Sequence, residues 1–320
     1  MSQVQIAAPA KLNLHLAVGG KREDGFHGIR SIFLALDFGD TLTFRSEGGT
    51  CGNTELEVRW QLPILSGEGP KPTLETADNL VLKAAAAFRR RTGFASSLSI
   101  SLEKRIPLGG GLGGGSSDAA STLLALNRLA GAEAGIRPLD RHDLALLGAE
   151  LGSDVPFFIH CNGETGMAAA LVGGRGEKVR PIRLPERFAG LRFVLVNPGF
   201  PSNTAGAFAL LDESRAADSP TPDLPSELGL TGDLEAALSL EPARWPFRND
   251  FLPALLSGGN GITYGSILSR LKAFGADFVG LSGSGSSCFG VFSDTELSRK
   301  AIEELSNGRF YVFETSCLRS

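Results

Sequence analysis

The chain has 320 residues, of which 42% are apolar and 21% charged, a balance that excludes a disordered tail, a collagen and a disulfide miniprotein. Its 31 Lys+Arg against 35 Asp+Glu leave a net charge of -4, so no global positive field gathers nucleic acid or an anionic membrane, and an anionic substrate needs a local basic pocket. At about 150 residues per domain, the length suggests two domains.

The first apolar stretch lacks a basic leader and is interrupted by Lys11, Asn13 and His15, which argues against a signal peptide. Alternation along Lys11-Leu12-Asn13-Leu14-His15-Leu16 predicts a strand at 10–18 with Leu12, Leu14 and Leu16 on one face and the polar residues on the other. That polar row is either a solvent-exposed face or, for Lys11 and Asn13, the lining of a cleft; His15 is expected on an exposed face. Further strands are predicted at 32–36 and 40–45, then a helix at 78–91 with Asp78 as its N-cap. At 98–103, Leu98, Ile100 and Leu102 alternate with polar residues as in a half-buried strand. Helices at 141–151 and 264–274 and strands at 191–196, 278–281 and 288–292 complete an α+β pattern. The glycine-punctuated stretch 157–176 is the expected domain boundary, and prolines near 218–225 predict an exposed loop. Four widely spaced cysteines without a C-x-x-C pair point to reduced thiols in a cytosol, and no segment reaches the roughly 20 apolar residues of a membrane span.

Glycine is the outlier, with 41 residues, about 13% against the usual 7% or so. Two clusters stand out, at 109–115 and 280–290. The first, Pro107-Leu108-Gly109-Gly110-Gly111-Leu112-Gly113-Gly114-Gly115-Ser116-Ser117, lies between a strand and a helix running from Ser116 to Leu129. Residues without Cβ let a backbone approach a ligand, and the helix offers unpaired N–H groups and a positive dipole end, a ready phosphate site. Ser116 and Ser117 can add hydroxyl donors or a ligand for phosphate-bound Mg²⁺. Gly109, Gly111 and Gly114 satisfy G-x-G-x-x-G, but no acidic strand end follows to hold a ribose. A Walker A loop requires Lys where Gly115 stands. Asp154, just past a helix end, is either a turn or capping residue or, beside a lysine, a carboxylate able to accept a proton from a substrate hydroxyl.

The strings Pro9-Ala10-Lys11-Leu12-Asn13-Leu14, 107–117 and Leu281-Ser282-Gly283-Ser284-Gly285-Ser286-Ser287 resemble, in order, the three motifs of the GHMP kinases. Asp24-Gly25-Phe26-His27, Asp78-Asn79-Leu80 and Leu151-Gly152-Ser153-Asp154-Val155-Pro156 are similar, within that superfamily, to the 4-diphosphocytidyl-2-C-methyl-D-erythritol kinase family. The resemblance implies a two-domain fold: an N-terminal α/β nucleotide-binding domain, here 1–168, and a ferredoxin-like C-terminal domain, here 169–320. It implies ATP as cosubstrate, Mg²⁺ with unassigned protein ligands, a cytoplasmic location, and phosphorylation of the 2-hydroxyl of 4-diphosphocytidyl-2-C-methyl-D-erythritol. The alternatives are a homoserine- or mevalonate-type kinase or a non-catalytic nucleotide-binding regulator.

Residue by residue, the resemblance gives Asp154 as catalytic base and Lys11 as its partner, with Asn13 near the acceptor hydroxyl. Asn79, Leu80 and Lys104 would surround the adenine, and Pro107, Gly109, Gly110, Gly111, Leu112, Gly113, Gly114, Gly115, Ser116 and Ser117 would hold the triphosphate. Phe26 and Phe208 would sandwich cytosine, His27 would read its edge, and Thr204 would line the pocket. Phe26 stands where the family usually has tyrosine. Segments 51–76 and 212–245 are read as insertions.

Overall fold

Two long strands, β1 (Ser2–Lys21) and β2 (His27–Gly48), pair antiparallel along nearly their whole length. This computed structural model describes residues 2–49, 52–62, 65, 71–133, 135–162, 167–218 and 232–318; the prolines of the expected loop at 218–225 lie outside them. The strands expected at 32–36 and 40–45 are one element, because the chain between them stays extended and Gly39 pairs with Pro9. The remaining elements of the first half are β3 (Thr54–Trp60), α1 (Leu80–Thr92), β4 (Ser97–Lys104), α2 (Gly114–Glu133), α3 (Arg141–Ala149), α4 (Val155–Cys161), β5 (Ala169–Gly174) and β6 (Lys178–Ile182).

These strands form a six-stranded sheet in the order β3-β4-β2-β5-β6, with β1 also paired to β2. The later half of β2 bonds β4, and its earlier half bonds β5. β3 falls inside a segment read as an insertion; its Leu56 and Val58 alternate with Glu55, Glu57 and Arg59, the pattern of a strand with one wet face. β5 begins one residue past the expected boundary at 168, yet it bonds β2, so the first sheet runs on to Ile182.

The second half comprises β7 (Arg192–Asn197), α5 (Thr204–Asp218), α6 (Gly232–Ala237), α7 (Phe251–Ser257), α8 (Gly261–Ala273), β8 (Phe278–Leu281), β9 (Cys288–Phe292), α9 (Thr295–Leu305) and β10 (Tyr311–Thr315). Its sheet order, β10-β7-β9-β8, is antiparallel throughout, with α8 and α9 as crossovers, the ferredoxin-like arrangement.

Three apolar layers build the two halves and join them. Phe33, Phe44, Phe88, Leu123 and Phe157 fill the space between the first sheet and α1–α4. Leu12, Leu34, Phe193, Leu195 and Phe289 bury the sheets' facing sides against each other. Ile267, Leu271, Phe292 and Leu305 seat α8 and α9 on the outer face of the second sheet. β1 is therefore covered on both sides, and His15, expected on an exposed face, is buried. Leu16 also leaves the set formed by Leu12 and Leu14: a register shift between Asn13 and His15 turns it toward Ala207, Leu211 and Phe251.

Candidate active site

The three glycine- and lysine-bearing strings, far apart in sequence, are stitched together by short-range hydrogen bonds. The Lys11 backbone N–H donates to the Leu112 carbonyl (2.9 Å), Asn13 N–H donates to Ser282 Oγ (3.3 Å), and Ser282 Oγ donates to the Gly111 carbonyl (2.8 Å). Ser287 N–H donates to the Gly110 carbonyl (3.0 Å), tying the second glycine cluster to the first. This docking explains part of the glycine run: a Cβ on Gly111 would lie 2.1 Å from the Ser282 carbonyl oxygen, and its φ is +73°. Gly111 is thus required by backbone packing against the second half, as well as by any ligand. The loop then delivers the chain to the N-terminus of α2, where Gly115 is exposed and the first backbone N–H groups lack helical partners.

Lys11 and Asp154, 143 positions apart, meet beside that helix end. Asp154 precedes α4 in the N-cap position, but its side chain makes no capping bond; Pro156 occupies the first turn instead. The carboxylate is left free and lies 3.6 Å from Lys11 Nζ, with Asp154 28% exposed and Lys11 buried. Lys11 Nζ also donates to Asn13 Oδ1 and sits 4.7 Å over the Phe33 ring. Asn13 is held in turn, since its Nδ2 donates to Ser31 Oγ (2.9 Å). Burial pushes the Lys11 ammonium below its ordinary pKa, and Asp154 opposes that shift.

This pair opens on a cleft of about 760 Å³ that runs between the two halves. Asn13, Gly111, Gly113, Phe26, His27, Thr204 and Phe208 all line it. Phe26, on the turn between β1 and β2, is 52% exposed, and the Arg175 guanidinium lies 4.7 Å over its ring. His27 stacks on Phe208 (4.8 Å between centroids, 21° between planes), and Phe251 meets Phe208 edge-on. His27 Nδ1 lies 3.0 Å from the Gly19 carbonyl oxygen, and Nε2 lies 3.4 Å from Asp212 Oδ2. Thr204 Oγ1 shares a hydrogen bond with Ser284 Oγ (2.9 Å) at the start of α5.

Of the residues expected around adenine, Asn79 and Leu80 flank the start of α1, and Leu80 lies 3.5 Å from the Cβ position of Gly115. Asn79, rather than Asp78, caps the helix: its Oδ1 accepts from Val81 N–H (2.9 Å), whereas Asp78 points out to pair with Lys83. Lys104 is placed differently from the rest. Its ammonium is buried between Asp40 and Asp118, the latter at 2.8 Å, and does not reach the cleft. Burial drives the Asp118 carboxyl up to about 7, against the pull of Lys104; neighbouring Asp40 adds to the rise.

Sequence reasoning did not single out Lys21, Arg175 or Asp212, which also line the cleft. Arg175 sits in the tight β5–β6 turn, whose Gly173-Gly174 and Gly176 were its available signal. Gly176 has φ +120°, and a Cβ there would lie 2.9 Å from Ser153 Cβ, so the turn braces the Ser153-Asp154 segment. Among the described residues no group of three His, Cys, Asp or Glu side chains is placed to hold a metal, and no helix is long and apolar enough to cross a membrane.

Comparison with known proteins agrees with this geometry. Residues 79–162 match the family described as GHMP kinases N terminal domain, and 264–311 match GHMP kinases C terminal. A 4-diphosphocytidyl-2-C-methyl-D-erythritol kinase of Anaeromyxobacter dehalogenans (strain 2CP-C) is 38% identical over 300 residues, covering 92% of this chain and 82% of that protein. One from Solidesulfovibrio magneticus is 37% identical over 310 residues, covering 96% and 94%. Among solved structures, a 4-(cytidine 5'-diphospho)-2C-methyl-D-erythritol kinase superposes with TM-score 0.69 at 31% identity, covering 98% of this chain and 99% of that one. A homoserine kinase from Cytophaga hutchinsonii shares the fold, with TM-score 0.66 at 17% identity. The chain therefore belongs to the 4-diphosphocytidyl-2-C-methyl-D-erythritol kinase family of the GHMP kinases.

Proposed function

We propose that the protein transfers the γ-phosphoryl group of ATP to the 2-hydroxyl of 4-diphosphocytidyl-2-C-methyl-D-erythritol, in the cytoplasm, as a step of non-mevalonate isoprenoid precursor synthesis. The observation that carries the reading is the meeting of Lys11 and a non-capping Asp154 at the mouth of the cleft, next to the start of α2. Phosphoryl transfer through a loose transition state asks mainly for alignment and charge stabilisation, and holding two reactants in line supplies about 7 to 11 kcal/mol. The loop 107–117 and the α2 N–H groups take the donor phosphates; Asn79 and Leu80 border the base. Asp154 accepts the proton of the acceptor hydroxyl, and Lys11, anchored by Asn13, neutralises the developing alkoxide. Phe26 and Phe208 provide stacking faces for cytosine, His27 its edge contact, and Lys21 and Arg175 the cations for the diphosphate.

The Ser117 hydroxyl, buried in the first turn of α2 without a partner, fits a cation carried on ATP. There Mg²⁺ would neutralise phosphate charge, with Ser117, phosphate oxygens and water as its ligands.

The test is to incubate the purified protein with ATP, Mg²⁺ and the cytidine-diphosphate alcohol and to follow ADP and the 2-phosphate. Turnover with this acceptor, and none with homoserine or mevalonate, is expected. Equal efficiency with the uridine-diphosphate form would remove the cytosine pocket formed by Phe26, His27 and Phe208.

A further inference from the structure

Lys104 forms the centre of a bridge beneath the glycine loop. Its Nζ donates to Asp40, on β2, and to Asp118 Oδ2, in the first turns of α2. The other oxygen of Asp40 accepts the backbone N–H groups of Arg105 (2.5 Å) and Ile106 (2.8 Å), the two residues that lead into Pro107. One carboxylate therefore grips the chain where the loop begins, and the other grips it where the helix has begun. The ammonium between them lies 3.4 Å from the Cβ position of Gly114. All three side chains are buried, and none of them lines the cleft.

We infer that Asp40 and Asp118 are positioning residues for the phosphate donor: through Lys104 they fix the separation between the two ends of the loop and so aim the α2 N-terminus. This rests on the reading that loop 107–117 holds ATP. It separates the two substrates, since the bridge supports the donor loop while Lys11, Asp154 and the acceptor cleft are built on β1, α4 and α5. A residue serving stability alone would lower the folded fraction without distinguishing donor from acceptor.

The experiment measures binding of a non-hydrolysable ATP analogue with Mg²⁺ by titration calorimetry, together with KM for each substrate, in wild type, Asp118→Ala, Asp118→Asn and Asp40→Asn. In Asp118→Ala the analogue is expected to bind roughly tenfold more weakly, with a matching rise in KM for ATP, while KM for the acceptor stays within about twofold. Asp118→Asn keeps an oxygen for Lys104 and is expected to recover most of the loss. If Asp118→Ala does not fold, Asp40→Asn decides, since it turns an amide toward the ammonium and should show the same donor-selective rise. Analogue binding unchanged in these variants, or KM values that rise together for both substrates, would overturn the inference. A wild-type protein that fails to bind the analogue would instead strike down the assignment of the loop to ATP, and the inference with it.

Discussion

Two lysines of this protein sit on β1 and β4, the strands on either side of β2, and each meets aspartate, but their surroundings set them apart. Lys104 is enclosed by two carboxylates in the interior, and burial, which would lower its pKa, is overcome by Asp118 and Asp40 so that it stays raised. Lys11 has one looser carboxylate at 3.6 Å, an amide oxygen and an aromatic face, and burial prevails, so its pKa is lowered. The difference lies in how completely each ammonium is satisfied inside the protein. A saturated lysine holds backbone in place; an incompletely satisfied one at the edge of a cleft can respond to charge that develops on a substrate.

The sharpest way to break this contrast is to remove the carboxylate of the looser pair. Asp154→Ala should lower kcat by about 10²- to 10⁴-fold, the usual worth of a general base, with KM for ATP changed only a few-fold. Steady-state kinetics at saturating substrates decides it, and wild-type turnover would mean that Asp154 is not the base. The second test exchanges the lysines. Lys104→Met strands two buried carboxylates and should cost roughly 3 to 5 kcal/mol in urea unfolding. Lys11→Met leaves behind a partly exposed Asp154 and the neutral Asn13 Oδ1, and should cost less, about 1 to 2 kcal/mol, while abolishing most activity. Similar unfolding losses in the two variants would erase the distinction.

The same contrast marks what could be read from the sequence. The motif order was legible because glycine runs and Lys-x-Asn alternation are local patterns; the resemblance they support carries the family and the ferredoxin-like second half, and of the helices α1, α2, α3 and α8 were legible while α4, α5, α6, α7 and α9 were not. The Lys104 bridge was not legible. Asp118 follows two serines at a helix start, where an acid reads as a partner of the helix dipole, and Asp40 reads as the turn residue opening a strand. Their shared partner is set by sheet pairing between β2 and β4, a long-range fact that no local pattern encodes. β2 was split for a related reason: Asp37-Phe38-Gly39 has turn composition, and only its pairing with β1 keeps it extended. Asp154 was recognisable as a capping candidate, yet its freedom from capping, which the proposed base needs, appears only once Pro156 is seen in the first turn of α4.

His15 extends the comparison to a buried base on the same strand as Lys11. Burial, followed by the charges of Arg248 and Arg30, lowers its pKa from 6.5 to about 4. The unfolded chain therefore binds a proton at His15 that the folded chain refuses between those values, and the contribution of His15 to stability falls as pH drops from about 6.5 to about 4. The span corresponds to roughly 3 kcal/mol at most. His15→Gln, which cannot titrate, should flatten that part of the stability curve relative to wild type. Parallel curves in chemical denaturation across this range would exclude His15 as the source.

Phe26 tests the outward end of the comparison, where a side chain proposed to bind the acceptor contributes little to the fold. Its ring is half exposed and carries the Arg175 guanidinium on one face, a surface contact whose loss should change stability by well under 1 kcal/mol. Base stacking on an aromatic ring is worth about 1 to 3 kcal/mol, so Phe26→Ala should raise KM for the cytidine-diphosphate acceptor by roughly 5- to 150-fold and leave KM for ATP unchanged. Phe26→Tyr keeps the stacking face and should stay within about twofold of wild type. A Phe26→Ala variant with unaltered acceptor KM would show that cytosine does not stack there, leaving His27, Phe208 and Phe251 as the other aromatic side chains that line the cleft.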